Sequence, residues 1–239
     1  MARIVRGAAA AAFAVALPLL IVTSAVRWLA SDIAYYRHGF RTYDASERTG
    51  LPLRELDRAG QEIIDYFEND SDVLRVVVTV NGGEEPLFDD REVAHMRDVK
   101  ALMRALFRVN EVSVVVVMGY VALVVLWAGE RSVRELAALA LVGLAAGLVV
   151  VGVIAVFAVT GFDRAWTTFH EVAFRNDLWQ LDPDHDRLIQ MFPEPFWQEA
   201  TYLAGAIIGA QSVVVAAVAA LYVLRTRVRT RGEGGRLAS

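Results

Sequence analysis

Residues 136–159 read LAALALVGLAAGLVVVGVIAVFAV, an apolar stretch without a charged side chain. A helix of that length spans the ~30 Å hydrocarbon core of a bilayer. Three further stretches read the same way, residues 8–29, 112–128 and 202–224. The run at 112–128 is short, but Glu111 and Glu130 bound it. The chain has 239 residues, 56% of them hydrophobic, and a mean hydropathy of +0.40. That is too apolar for an ordinary soluble domain. The expected fold class is an α-helical membrane protein with four transmembrane helices. The start of the first run has signal-peptide features, a basic beginning and small residues at Thr23-Ser24-Ala25. Its apolar stretch continues through Trp28 and Leu29, past the roughly 7–15 residues of a signal core, so it reads as a span.

Charge orients the spans. Arg3 and Arg6 precede the first, Arg131 and Arg134 sit between the second and third, and Arg225, Arg227, Arg229, Arg231 and Arg236 follow the fourth. Lys and Arg collect on the cytoplasmic side, so both termini are expected there, in the plasma membrane. Residues 32–111 carry eleven basic and seventeen acidic side chains, and residues 163–199 three and eight. Both segments belong outside. The expected organisation is residues 1–30 as the first transmembrane helix and 31–111 as an extracytoplasmic cap segment. Residues 112–159 are the second and third transmembrane helices, 160–201 a second external segment, and 202–239 the fourth helix with its basic tail. Trp28, Tyr35, Tyr36, Trp166, Trp179, Trp197 and Tyr202 lie near the outer ends of spans, where aromatic rings are favoured. The carboxyl-terminal arginines are explained by topology, with no call for nucleic acid.

Several function classes drop out. Transporters and pumps usually carry ionisable residues at membrane depth; here Arg27 lies near the end of the first run and Gln211 is the strongly polar residue of the fourth. With no cysteine, disulfides, thiol catalysis and cysteine metal sites are excluded. His170-Glu171 begins like a zinc-protease helix, but Phe174 stands where the second histidine ligand is required. There is no Gly-x-Ser-x-Gly elbow and no phosphate loop. No metal and no cofactor are expected.

The cap segment is expected to be small and α+β. A helical pattern runs over residues 51–67, opened by Pro52, and a strand over residues 73–80 ends at Asn81-Gly82-Gly83, a hairpin signal. A second strand passes through Pro86, Leu87 and Phe88. Asp89 or Asp90 then caps a helix over residues 91–109, with Glu92 placed to help. On that helix His95, Val99, Leu102 and Leu106 share an apolar face, while Arg97, Lys100, Arg104 and Arg108 form a basic row facing water or lipid phosphate. If it ran straight on, His95 would stand about 25 Å from Val112. A bend near Asn110 is therefore expected, laying the helix along the bilayer surface. In the second external segment Phe162, Trp166, Phe169, His170 and Ala173 share a helix face. His95 and His170 thus sit on apolar faces outside the spans. Most such histidines are structural, but two near one interface suggest proton-transfer chemistry. His185, among aspartates, reads as a solvated turn residue, and His38 as structural.

Two dense motifs hold these histidines. Glu92-Val93-Ala94-His95-Met96-Arg97-Asp98-Val99-Lys100 is followed by Phe169-His170-Glu171-Val172-Ala173-Phe174-Arg175-Asn176-Asp177-Leu178-Trp179, then Leu181-Asp182-Pro183 and Leu188-Ile189-Gln190-Met191-Phe192-Pro193. Together they resemble the lipoprotein intramolecular transacylase family, integral membrane proteins with four spans and an external cap. They cover under a fifth of the chain. The resemblance implies transfer of the sn-2 acyl chain of a diacylglyceryl-modified amino-terminal cysteine to that cysteine's own amino group. It matches the family's two histidines to His95 and His170 as catalytic residues. Asp98, at i+3 from His95, could orient that imidazole, Asn176 could donate to a carbonyl oxygen, and Trp166, Phe169 and Trp179 would wall the pocket. The implied partners are the lipoprotein substrate and membrane lipids; oligomeric state is left open. Two rival readings use the same residues. One is a membrane lipid esterase with water as acceptor, and the other a non-catalytic envelope protein that binds a lipid or a partner.

Overall fold

The computed structural model describes residues 2–80, 82–127 and 130–236. In chain order the elements are α1 (Ala2–Ser31), α2 (Ile33–Thr42), α3 (Ala45–Thr49), α4 (Leu53–Glu68), β1 (Val77–Val80) and β2 (Gly83–Pro86). They continue with α5 (Asp90–Trp127), α6 (Glu130–Thr160), α7 (Phe162–Ala173), α8 (Arg187–Met191) and α9 (Glu194–Arg236). Four helices are long and apolar enough to cross a membrane, with spans inside Ile4–Ser31, Asp90–Leu126, Ser132–Thr160 and Glu194–Thr226. This is an integral membrane protein with a small two-stranded sheet. The chain divides into two compact units.

The first unit comprises Met1–Ala25, Arg108–Ala155 and Gly205–Ser239. Phe13, Leu17, Ile21, Val117, Leu144 and Ile208 form its apolar core. Small residues bring α1 and α6 together: a Cβ on Gly143 would lie 2.4 Å from the Ala14 carbonyl oxygen, and one on Gly147 2.4 Å from Pro18 Cβ. Such close backbone approach is how membrane helices gain contact where apolar surroundings supply no hydrophobic drive. Val149, Val150 and Val153 of α6 point outward, at 60–67% exposed, as lipid-facing side chains do. Arg6 pairs with Glu135 at 2.5 Å. The arginines at 3, 131, 227, 229, 231 and 236 lie outside the residues whose side chains are described.

α5 is one helix from Asp90 to Trp127, unbroken at Asn110. The buried Asn110 amide donates sideways to Thr23 Oγ1 at 3.0 Å and Ser24 Oγ at 2.9 Å. Its polar group is satisfied without breaking the helix ladder. At 1.5 Å per residue a helix this long well exceeds the bilayer core.

The second unit comprises Val26–Phe107 and Val156–Ala204. Asp32 caps α2, accepting from the Ala34 amide at 2.9 Å. Tyr36, Phe40, Phe192 and Phe196 pack edge-to-face or tilted at 5.2–6.4 Å, joining α2 to the segment that opens α9. α4 buries Leu56, Ile63, Ile64 and Phe67 of its expected apolar face, and Ala59 as well, while Leu53 in its first turn is exposed. The strands pair antiparallel, Val77 opposite Pro86 and Val80 opposite Gly83. They are shorter than expected. β1 starts at Val77 and β2 ends at Pro86, but the Leu87 amide still donates to Val76 O at 2.8 Å, and Leu87 and Phe88 are buried at 5% and 6% exposure. Gly82, at φ 84°, supplies the left-handed turn conformation; Asn81 lies outside the described residues.

The basic row of α5 also departs from expectation. Lys100 is buried; its ammonium donates to Ser71 O at 2.6 Å and Asn69 Oδ1 at 3.1 Å and lies 3.9 Å from the centre of the Tyr66 ring. Arg97 donates to Asp72 O at 3.1 Å, and Arg104 binds Asn69 O and Asp70. Arg104 thus meets carbonyls at the end of α4, where the helix dipole is negative, while Lys100 and Arg97 hold the segment that follows it. Arg97 and Arg108 remain exposed.

Candidate active site

The second unit holds both motif histidines. His95 lies in the second turn of α5, whose start is fixed by a capping box. Asp89 Oδ1 accepts from the Glu92 amide at 2.8 Å, and Glu92 Oε2 accepts from the Asp89 amide at 2.8 Å. Asp89, rather than Asp90, is therefore the cap. The other oxygen of Glu92 accepts from the Leu188 amide at 2.6 Å, which fastens α8 to α5. Burial pushes the Glu92 carboxyl up, and these two amides pull it back.

His170 lies in the last turn of α7. Its Nδ1–H donates to the Trp166 carbonyl at 2.8 Å. That bond leaves Nε2 of the neutral ring with the free lone pair. The two imidazoles face each other with centroids 6.2 Å apart and planes at 34°. Aromatic side chains enclose them: Trp166 at 4.4 Å, Trp179 at 5.0 Å and Phe169 at 5.1 Å from the His170 ring. Phe174 lies between, 5.2 Å from His95 and 5.6 Å from His170. Trp197 stacks on the far side of Trp166 at 5.1 Å.

Both histidines are buried, at 5% and 6% exposure, and His95 Nδ1 has no hydrogen-bond partner among the described residues. Burial disfavours the charged ring, and the neighbouring His170 adds to this, so His95 is held down at about 4 against a weaker upward pull from Asp98. Burial also lowers His170, opposed by its bond to the Trp166 carbonyl. Each imidazole is neutral at pH 7, one with a fixed tautomer and one with an unclaimed buried nitrogen. Such a pair can take, hold and return a proton.

Asp98 and Asn176 meet, but in a way that the spacing did not foretell. Asn176 Nδ2 donates to Asp98 Oδ2 at 2.8 Å, and Asn176 Oδ1 accepts from the Leu178 amide at 3.1 Å. Asp98 acts on His95 through charge. The sequence gives no sign that Phe174 packs on both imidazoles or that Trp197 backs Trp166, and Arg91 is one arginine among many until its partners across the fold are seen.

The other two histidines are exposed. His38 donates to Glu199 at 3.0 Å, and Tyr43 donates to the same carboxylate at 2.6 Å. His185 pairs with Asp182 at 2.9 Å in a solvated turn. Asp89, Glu92 and Asp186 bring carboxylate oxygens within 4.8 Å of one another. All three already accept backbone amides, Asp186 from Asp182 at 2.6 Å, and neither motif histidine joins them.

Comparison with known proteins gives this geometry a context. The family model described as lipoprotein intramolecular transacylase Lit matches residues 11–197. Among solved structures, the membrane integral lipoprotein intramolecular transacylase Lit from Bacillus cereus superposes with a TM-score of 0.73 at 16% identity. The match covers 95% of this chain and 100% of that one. Two variants of the Bacillus cereus protein, with a histidine changed to arginine or to alanine, superpose at TM-scores of 0.71 and 0.70, with 16% and 15% identity. Each covers 92% of this chain and 93% or 94% of the other. No curated protein matches the chain by sequence.

Proposed function

We propose a reaction from one premise: this chain belongs to the lipoprotein intramolecular transacylase family, and is an enzyme of that kind. The reading is that it moves the sn-2 acyl chain of a diacylglyceryl-cysteine lipoprotein to the α-amino group of the same cysteine, with His95 and His170 as the proton-handling pair. The observation that carries it is the meeting of these two buried neutral imidazoles at 6.2 Å.

In the proposed step the amine nitrogen attacks the ester carbonyl carbon. The bond from that carbon to the sn-2 glyceryl oxygen breaks as the amide forms. One proton passes from nitrogen to oxygen, so the product is an isomer of the substrate and water is not consumed. Donor and acceptor already share one molecule, and holding them together supplies much of the rate. His170 suits the base, because Nδ1 is committed to Trp166 and Nε2 is free. His95, whose proton affinity is low, suits the donor that steadies the oxyanion and the departing glyceryl oxygen. The proton taken by His170 is returned by way of His95. Trp166, Phe169 and Trp179 keep water from competing with the amine.

Purified protein given a synthetic diacylglyceryl lipopeptide should yield an N-acylated lyso product of unchanged mass. Free fatty acid in its place would establish the esterase, and untouched substrate a non-catalytic binder.

The topology that accompanies this reading places both termini in the cytoplasm and the histidine-bearing unit outside, as the arginine distribution supports. Glu84 and Asp184 are exposed. Cysteines at these positions should react with an impermeant maleimide applied to intact cells. Labelling only after lysis would invert the orientation.

A further inference from the structure

Residues 174–181 connect α7 towards α8 without regular structure, yet they carry two of the rings that enclose the histidines, Phe174 and Trp179. Two latches tie this loop to the first turns of α5. One is the bond from Asn176 to Asp98 at 2.8 Å. The other is Arg91, whose Nη2 donates to the Asp177 carbonyl at 3.1 Å and to the Gln180 carbonyl at 2.5 Å. The loop also closes on itself, with Gln180 N donating to Asp177 O and Leu181 N to Trp179 O. The carbonyls that Arg91 holds therefore flank Trp179. Both bonds come from Nη2, which has one hydrogen for each carbonyl. Arg91 is itself exposed, so burial of its own side chain does not account for this placement.

We infer that Arg91 is a positioning residue: by gripping the loop on both sides of Trp179 it holds that ring against His170 and keeps the imidazole pair closed from water. Arg91 touches neither imidazole and acts through the loop. The groups that face His95 are Asp98 on its own helix, which favours its proton, and His170 from α7, which disfavours it. From the loop it meets the uncharged Phe174. Releasing the loop would admit water to His95 and relax its proton affinity towards that of a free imidazole.

This inference rests on the transacylase reading, and its test has an arm that does not. Full-length wild type, Arg91→Ala and Arg91→Lys are compared in detergent by hydrogen exchange of the 175–181 amides and by lipopeptide conversion against pH. Arg91→Ala should exchange the loop amides at least roughly tenfold faster while α4 is unchanged. Its turnover should fall about 10–100-fold with a much smaller change in KM, since small misplacements of reacting groups are that costly. The acid limb of its pH profile should move up towards 6.5. Arg91→Lys should fall between and carries the test if the alanine variant does not fold. Unchanged loop exchange would overturn the inference, as would a faster loop with the turnover and pH limb of wild type. A wild type that converts no lipopeptide would sink the transacylase reading, and the exchange arm would still decide whether Arg91 holds the loop.

Discussion

Replacing His170 with Ala or Asn should lower conversion of a diacylglyceryl lipopeptide by ~10²–10⁴-fold, the range for loss of one general acid–base group. His95→Ala should cost a similar factor. The two losses should not add, because a relay of two rings stops when either is gone. Both rings are buried, with centroids 6.2 Å apart, and Trp166, Phe169, Phe174 and Trp179 lie 4.4–5.6 Å from the His170 ring. Polar groups so enclosed, one of them with an unpartnered nitrogen, cost stability, and a role in the chemistry explains their presence. His185→Ala is the control. That ring is exposed on Asp182, and its loss should leave conversion near normal. Circular dichroism and thermal unfolding would establish that each variant is folded. Full activity in purified His95→Ala or His170→Ala would end the mechanism.

The second large effect is on acid stability. An imidazole in the unfolded chain titrates near 6.5, whereas in the folded protein His95 stays neutral down to about 4. Between those values the unfolded chain binds a proton that the folded one refuses, so stability falls as pH falls through that window. At about 1.4 kcal/mol per pKa unit this site alone removes about 3 kcal/mol. His170, also lowered by burial, acts in the same direction. The exposed His185 acts in the opposite direction, but an exposed pair contributes little. Wild type should therefore unfold at distinctly lower urea or temperature at pH 4.5 than at pH 7, and His95→Ala should show a markedly shallower dependence. Parallel curves for the two proteins would mean that His95 is hydrated. Conversion by wild type should begin to fall only at a pH below 6.5, where a free imidazole is already half protonated, because both rings are lowered by burial.

Much was legible in the sequence because it depends on local rules. Apolar runs long enough to cross a bilayer mark the four membrane helices. The sequence Asp89 to Glu92 carries a capping box, since each partner is specified within one helical turn. Periodicity placed His95 and His170 on apolar faces, and the two motifs identified the family. The small α+β segment was also visible, from Pro52 and the hairpin turn, though strand length was not. Leu87 and Phe88 look like strand residues until the core that buries them is present.

What only the tertiary structure decided is what each side chain meets. Asn110 offers a polar side chain at the entry to an apolar run, and Thr23 and Ser24 on α1 accept its amide hydrogens while α5 continues unbroken. Lys100 and Arg104 form part of a polar stripe on a helical wheel, but they are taken up by carbonyls of Asn69 and Ser71, at and just beyond the end of α4. Asp98, one turn from His95, suggests an orienting bond, but its oxygen is taken by Asn176 from a loop 78 positions away in sequence. Helical spacing fixes the direction in which a side chain leaves its own backbone. The partner that waits there arrives from another element, and only the packed chain contains that distance.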